Sequence, residues 1–332
     1  MPGFTFIDLF SGIGGFHTAA VRLGGKCLAA CEIDEPARAM YEANYGVLPH
    51  SDIRTFPTAS LRRKTDLLTA GFPCTPYSSL GKQLGLKDPR GKLFHDLCRV
   101  IKEVEPRVFI LENVKNLLSS ESRLKERILA PLKDLGYQIS YTVLDSRHFG
   151  IPQHRERVYF VGIREPAPFA SHLSDAYTFS FQSLIDRAQT ARLVPFDTIL
   201  EKNDAKAFDP YLANPLFANA AILDPPTPTP SGFLLRAKVG DYARKRAFSS
   251  HGIVGTMTTT HPSTIYDETR KVIRYMTEGE MKRVQGFPLS FKFPPNSSRS
   301  FIAHYIGNAV SVPVIHAIIR ELQQQHYLPS KP

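Results

Sequence analysis

What the 332 residues lack narrows the field before any motif is read. No stretch approaches the roughly 18 uninterrupted apolar residues that a membrane span needs. Met1 to Phe10 is too short and, with Asp8, too acidic for a signal peptide. A cytoplasmic protein with no membrane partner is expected. Cysteine is scarce: Cys27, Cys31, Cys74 and Cys98 are too scattered for a disulfide framework, and no C-x-x-C spacing offers a zinc site, so no metal is expected. H-E-x-x-H and G-x-S-x-G are absent, which removes support for zinc-protease and α/β-hydrolase chemistry. Gly85 to Gly91-Lys92 fails as a phosphate loop, because five residues rather than four separate the glycines and Leu93 stands where Ser or Thr should bind a metal. Internal repeats are missing too. Acidic residues are in deficit, 31 against 41 Lys and Arg, and the net charge of +10 favours a polyanionic partner such as nucleic acid.

The basic excess is uneven. Residues 1–164 carry 23 basic and 17 acidic side chains, 165–273 carry 11 of each, and 274–332 carry 7 and 3. The length itself suggests two domains, or one with an appendage. Short apolar runs at 4–10, 27–33, 66–72, 107–112, 139–144 and 157–163 read as strands, with helical text at 15–23, 36–44, 92–103 and 122–135 between them. That alternation predicts an α/β fold with a doubly wound, mostly parallel sheet, whose ligands lie at the carboxyl ends of the strands. After Arg164 the text turns irregular and Pro-rich, as in Asp224-Pro225-Pro226-Thr227-Pro228, which predicts a second, smaller domain over 165–273 with little regular helix. Its stretch 236–246 has five cations and suits either phosphate contact or a solvated face. Helical text resumes at Thr277-Glu278-Gly279-Glu280, and a last helix is expected over 309–325. Residues 274–332 are expected to return to the first domain, 1–164.

Asp8-Leu9-Phe10-Ser11-Gly12-Ile13-Gly14-Gly15 is a strand running into a Gly-rich turn that opens a helix, where backbone N–H groups can approach a cofactor. It departs from the dinucleotide fingerprint, since His17 stands at the third glycine's place. Glu32 ends the second strand, where an acid can take both ribose hydroxyls, and Asp52-Ile53 follows a third extended segment, suited to an adenine edge. Cys27 and Cys31 lie in an apolar run and read as small buried residues. Cys74 differs: Gly71-Phe72-Pro73 before it and Thr75-Pro76 after it put it on a rigid turn at a strand end.

Gly71-Phe72-Pro73-Cys74, Glu112-Asn113-Val114 and Gln153-His154-Arg155-Glu156-Arg157 are polar constellations at the ends of successive apolar strands. With the Phe-x-Gly-x-Gly turn, Arg283-Val284-Gln285-Gly286-Phe287-Pro288 and Gly307-Asn308-Ala309-Val310, they resemble the DNA (cytosine-5)-methyltransferases of prokaryotic restriction–modification systems. The resemblance covers nearly the whole chain, with six motifs in the family's order.

The resemblance implies methylation of a cytosine flipped out of a short duplex DNA sequence. Cytosine C5 is a poor nucleophile until something adds to C6, which a thiolate can do. Cys74 is the expected nucleophile, and Glu112 would hydrogen-bond N3 and the exocyclic amine. Arg155 would bind the base carbonyl, while Arg157 would support the loop around Glu112 or a phosphate. The implied donor is S-adenosyl-L-methionine, with S-adenosyl-L-homocysteine as product. Its pocket would draw on Phe10, Gly12, Ile13, Gly14, Gly15, Glu32, Ile33, Asp52, Ile53, Gly71, Pro73, Leu93, Asn308, Ala309 and Val310. Ser79 to Lys92, with three glycines and four cations, reads as a mobile basic lid. Residues 165–273 would read the target, with base contacts expected at Thr256 to Thr260, whose β-branched text also reads as a plain strand. A monomer is expected, as is a cognate restriction endonuclease acting on the same site without direct contact.

Thr75 and Tyr77 replace the Gln and Phe common in the family, which touches contacts to the flipped nucleotide and not the nucleophile. RNA-directed relatives tend to carry a Cys-Phe-Thr tripeptide that is absent here, so DNA is favoured over tRNA. A nicotinamide-dependent oxidoreductase would share the Gly-rich turn and Glu32 but would leave Cys74, Glu112 and Arg155 without a common role. A catalytically silent DNA-binding protein would have no need of Cys74.

Overall fold

The computed structural model describes residues 3–73, 92–119, 124–164, 178–201, 221–222, 227–229, 232–239, 242–259, 264–270 and 272–330. The chain forms two compact units, one of Met1–Leu144, Glu156–Ala188 and Val314–Pro332, the other of Asp145–Arg155 and Gln189–Pro313.

In the first unit the apolar runs become β1 (Phe4–Leu9), β2 (Gly25–Cys31), β3 (Leu67–Gly71), β4 (Val108–Val114), β5 (Tyr137–Asp145) and β6 (Glu156–Arg164), in the order β2-β1-β3-β4-β6-β5. The pairs β1–β2, β1–β3 and β3–β4 are parallel, and β6 runs antiparallel to β4. From β1 the chain winds out to β2 and then returns to β3 on the other side. The carboxyl end of β1 is therefore the switch point where a crevice opens. β3 and β4 are buried along almost their whole length, as a parallel sheet covered on both faces requires.

The covering helices include α1 (Gly15–Arg22), α2 (Glu35–Tyr45) and α3 (Lys92–Val104). α2 starts at Asp34, whose side chain accepts from the Ala37 N–H, and stops at the left-handed Gly46. Where one helix is expected over 122–135, a π-helical turn at Lys125–Leu129 leads into the five-residue α4 (Ala130–Asp134). Pro131 has no N–H to give the Arg127 carbonyl, so the regular ladder cannot run through. Ile7, Leu9, Leu68, Leu97, Phe109 and Phe160 are among the fully buried side chains of the core.

The second unit has its own sheet of β7 (Ala221–Ile222), β9 (Gly232–Val239), β10 (Tyr242–Ser249), β11 (Thr264–Asp267) and β12 (Val272–Tyr275), with β8 (Thr227–Thr229) pairing β9. Two helices follow: α6 (Glu278–Gln285) and α7 (Arg299–Asn308). α6 begins at Thr277 with the expected capping box to Glu280.

The unit boundaries differ from those expected. The first unit keeps α5 (Gln182–Thr190) as far as Ala188, because Ser183 and Arg187 both bond Glu321. Asp145–Arg155 belongs to the second unit, where His154 N–H donates to Val254 O and Val254 N–H to Pro152 O. Of 274–332, only Val314–Pro332 returns to the first. The expected last helix over 309–325 is α8 (Val312–Gln324), separated from α7 by an extended Ala309. Arg299–Gln324 is the one described stretch long and apolar enough to cross a membrane, and its most apolar window is 67% buried, as core helices are.

Candidate active site

Left-handed backbone concentrates where β1 ends. Phe10 has φ 51, Gly12 φ 51 and Gly14 φ 87. At Phe10, a residue with a Cβ, that conformation is strained, and such strain gathers at binding turns. Gly14 N–H closes the turn on Ser11 O at 2.9 Å, and Ser11 N–H reaches Cys31 O at 3.0 Å. Gly14 has no room for a side chain, since a Cβ would stand 2.2 Å from Tyr45 Cε2.

Glu32 takes Gly12 N–H on Oε2 at 2.8 Å and Asp34 N–H on Oε1 at 2.9 Å, so its carboxylate is locked at the end of β2 with lone pairs to spare. The 50–53 segment lies alongside through His50 N–H to Ala30 O at 2.8 Å and Glu32 N–H to His50 O at 2.9 Å. Asp52 there caps a short turn and is chelated by Arg54, whose hydrogen bonds hold its carboxyl below the usual carboxylate range. Ile53 is buried, whereas Ile33 is 73% exposed, an apolar side chain standing open beside Glu32. Gly71 ends β3, and Leu93 packs partly buried at the start of α3.

These residues fit a nucleoside-bearing sulfonium donor. The turn offers backbone N–H groups, Glu32 offers a fixed acceptor, and the buried Ser11 Oγ has no hydrogen-bond partner among the described residues.

One strand over, the register sets the next group. Gly71 pairs with Glu112 across β3–β4, and Val114 pairs with Arg157 across β4–β6. Side chains alternate along a strand, so Glu112 and Val114 share a face and Arg157 lies diagonal to Glu112. Arg157 Nε stands 3.3 Å from Glu112 Oε1, an atom that is buried and makes no hydrogen bond among the described residues. Asn113 faces the other way. Its Nδ2 donates to Phe72 O at 2.9 Å and its Oδ1 accepts from Val114 N–H at 2.8 Å, which ties the end of β4 to the segment leading into Cys74.

Cys74, Thr75, Tyr77 and the loop from Ser79 to Gly91 lie outside the described residues. Burial pushes the thiols of Cys27, Cys31 and Cys98 up to about 12, so none of these three is a thiolate at neutral pH.

In the second unit the structure gives Arg155 another occupation than the one expected. Its Nη1 donates to Gly307 O and its Nη2 to Ala309 O, both at 3.0 Å, with only 4% of the residue exposed. Gln153 Nε2 donates to Gln285 Oε1 at 2.7 Å, Gln153 Oε1 accepts from Met257 N–H at 3.1 Å, and Gln285 Nε2 joins Arg155 on Ala309 O. Gly307 passes so close to 257–258 that a Cβ would meet Thr258 O at 2.9 Å. Three motifs thus interlock through main-chain carbonyls. Ala309 and Val310 are buried here, and Asn308 Nδ2 lies 3.4 Å from His304 Nε2. Residues 256–259 form no strand; Thr256 Oγ1 donates to His154 O at 2.8 Å.

Sequence reasoning assigned no role to Asn113, Gln153 or Gln285, though each lay inside a motif it quoted. It missed Tyr45 altogether. The available signal was the Tyr41/Tyr45 pair, four residues apart and so on one face of α2.

Comparison with known proteins agrees with this picture. The C-5 cytosine-specific DNA methylase family matches residues 4–324. The chain is 35% identical over 345 residues to the type II methyltransferase M.HpaII of Haemophilus parainfluenzae, spanning 97% of this chain and 90% of that one. It is also 35% identical over 314 residues to M.NgoBI of Neisseria gonorrhoeae, spanning 94% and 90%. The solved structure of the S. pombe Dnmt2 methyltransferase shares the fold, with a TM-score of 0.71 at 20% identity over 97% of this chain and 99% of that one.

Proposed function

The chain belongs to the C-5 cytosine-specific DNA methylase family, and from that premise we propose that it methylates C5 of a cytosine flipped out of one short duplex DNA sequence, through a covalent bond from Cys74 to C6. The observation that supports this most is Glu112: a buried carboxylate oxygen without a hydrogen bond among the described residues, beside Arg157, in register with the strand that leads to Cys74. A carboxyl group in that position can hold the N3 and exocyclic amine edge of a base.

The Cys74 thiolate adds to C6, and the C5–C6 electron pair moves toward C5 while Glu112 supports proton character at N3. S-adenosyl-methionine, when bound, would supply an electrophilic methyl group that bonds to C5 through that electron pair, its sulfur leaving as the thioether S-adenosyl-homocysteine. Loss of the C5 proton then returns the electron pair, expels Cys74 and restores the aromatic ring. The Gly12–Gly15 turn and Glu32 hold the donor. Arg157 orients Glu112 and takes the base-carbonyl role first expected of Arg155, which instead braces the second unit. Flipping the base costs a few kcal/mol, offset by contacts in the pocket. The same reading carries a DNA-associated enzyme of the prokaryotic cytoplasm that acts as a monomer, with no metal, on the site of a cognate restriction endonuclease that it does not touch.

The test is incubation with labelled S-adenosyl-methionine and unmethylated duplex DNA, followed by base-resolved mapping of 5-methylcytosine. One recurring short site is expected. Cys74→Ser abolishes transfer and leaves DNA binding intact; methyl transfer retained in that variant would overturn the mechanism, and transfer to tRNA in place of DNA would overturn the substrate.

A further inference from the structure

The turn after β1 is held from behind by a group that the proposed chemistry does not use. Tyr45, on the last turn of α2, lies with its hydroxyl 2.9 Å from Gly14 O, 3.2 Å from Ile13 O and 2.8 Å from Thr18 Oγ1. Carbonyl oxygens can only accept, so Tyr45 shares its one proton between them and Thr18 donates to Tyr45. The ring is fixed as well. It stacks on His17 with centroids 4.0 Å apart and planes 21° from parallel, and it fills the space a Gly14 side chain would need.

His17 is in turn anchored. Its Nδ1 lies 2.7 Å from the Tyr41 hydroxyl, which is 3.4 Å from Asp8 Oδ2, and Thr69 Oγ1 donates to Asp8 Oδ1 at 2.8 Å. Asp8, His17, Thr18, Tyr41 and Thr69 are all buried. A chain of side-chain hydrogen bonds and ring contacts therefore runs from the floor of β1 and β3 to the back of the Gly-rich turn.

The consequence for the turn follows from the planarity of the peptide bond. With the Gly14 carbonyl drawn toward Tyr45, the Gly15 N–H of the same trans peptide points the opposite way, away from Tyr45. The Gly14 N–H is set likewise by the Ile13 carbonyl, and it goes to Ser11 O. α1 has no side-chain cap at Gly14; the Gly14 carbonyl also accepts Thr18 N–H at 2.9 Å, the first rung of the helix, and Tyr45 adds to that rung from the side.

We propose that Tyr45, braced by Thr18 and by His17, is a positioning residue for the methyl donor: its hydroxyl sets the two peptides, Ile13–Gly14 and Gly14–Gly15, whose N–H groups shape the donor site. This rests on the reading of that turn as the donor site.

Tyr45→Phe keeps the ring and removes only the hydroxyl. The expected result is a rise in the Kd and KM for S-adenosyl-methionine of about two- to twelvefold, the range set by one net hydrogen bond. At saturating donor, kcat and the KM for DNA stay at the wild-type level. S-adenosyl-homocysteine binding weakens in parallel, and amide exchange at Gly14 and Gly15 speeds up in the free protein. Thr18→Val weakens donor binding in the same direction, while Thr18→Ser restores it, which separates the hydroxyl's role from packing even if one variant is unstable. Wild-type donor affinity in Tyr45→Phe overturns the proposal and leaves the donor-site reading intact. Failure of the wild-type protein to bind the donor at all overturns both.

Discussion

The first and second units each bury a cluster of ionisable side chains, and they arrive at opposite protonation states. Behind the Gly-rich turn, burial lifts the Asp8 carboxyl to about 8 against hydrogen bonds from Thr69 and Tyr41, and burial lowers His17 to about 4. That cluster is largely uncharged at pH 7. In the second unit, burial also pushes Asp267 upward, but hydrogen bonds from Arg270 and Arg274 outweigh it and hold the carboxyl below its ordinary range. Arg274 itself is kept above its usual value by Glu280 and Asp267 despite burial. The difference is the guanidinium. Where one is supplied, desolvated carboxylates remain ions; where only hydroxyls and an imidazole are supplied, the proton stays on the acid.

The comparison breaks most visibly at Arg274. Its Nη1 and Nη2 meet Glu280 at 2.8 and 2.7 Å and its Nε meets Asp267 at 3.1 Å, with both carboxylates fully buried. Arg274→Met strands the buried Glu280 carboxylate and leaves Asp267 with Arg270 alone, so a loss of about 3–5 kcal/mol is expected in urea unfolding. A loss below about 1 kcal/mol would mean that the two carboxylates simply pick up protons, as Asp8 does, and the contrast between the units would vanish.

Asp8 sharpens the comparison through pH. Its ordinary value is 3.8 and its folded value about 8. Below the first, both folded and unfolded chains hold the proton. Between the two, the unfolded chain releases it while the folded chain keeps it, so the Asp8 contribution to stability falls as pH rises through this window, by roughly 1 kcal/mol per pH unit, with His17 offsetting it up to about pH 6.5. Asp8→Asn cannot ionise and loses that slope. Thermal midpoints at pH 7 and pH 8, above the range in which the lowered His17 contributes the opposite slope, should therefore separate in the wild-type protein and draw together in the variant. Parallel profiles would show that Asp8 is already an anion in the folded state.

Much of this was legible in the sequence, and what was not has a common cause. The strands, the Gly-rich turn and the Thr277 capping box depend on neighbours within a few residues, so local text announces them. Cys74 and Glu112 were picked out by motif. The division of labour between Arg155 and Arg157 was not legible. Both lie in one motif two residues apart, and only the partners, Gly307 and Ala309 for one and Glu112 for the other, separate them. The same holds for the boundaries: Asp145–Arg155 reads as a link between two strands of the first sheet, yet its hydrogen bonds run to Val254, 100 residues on or nearly so. Tyr45 sits in unremarkable helical text, and its meaning comes from the turn it touches.

The smallest expected effect tests whether burial, and not ion pairing as such, sets the scale of these energies. Lys115 Nζ lies 2.9 and 3.0 Å from the two Glu156 oxygens, a geometry as good as that of Arg274, but the side chains are 55% and 36% exposed. Water already solvates both partners, and ordering two long side chains offsets most of the Coulomb gain. Lys115→Ala should therefore shift urea unfolding by less than about 1 kcal/mol, and 0.5 M salt should remove most of that shift. Glu112 lies on the strand just before Lys115 and Arg157 beside Glu156, so methyl transfer measured alongside gives an internal control: it should hold at the wild-type rate. A cost approaching that of Arg274→Met would show that short distances suffice without desolvation, and the explanation of the two clusters would have to be rebuilt on geometry alone.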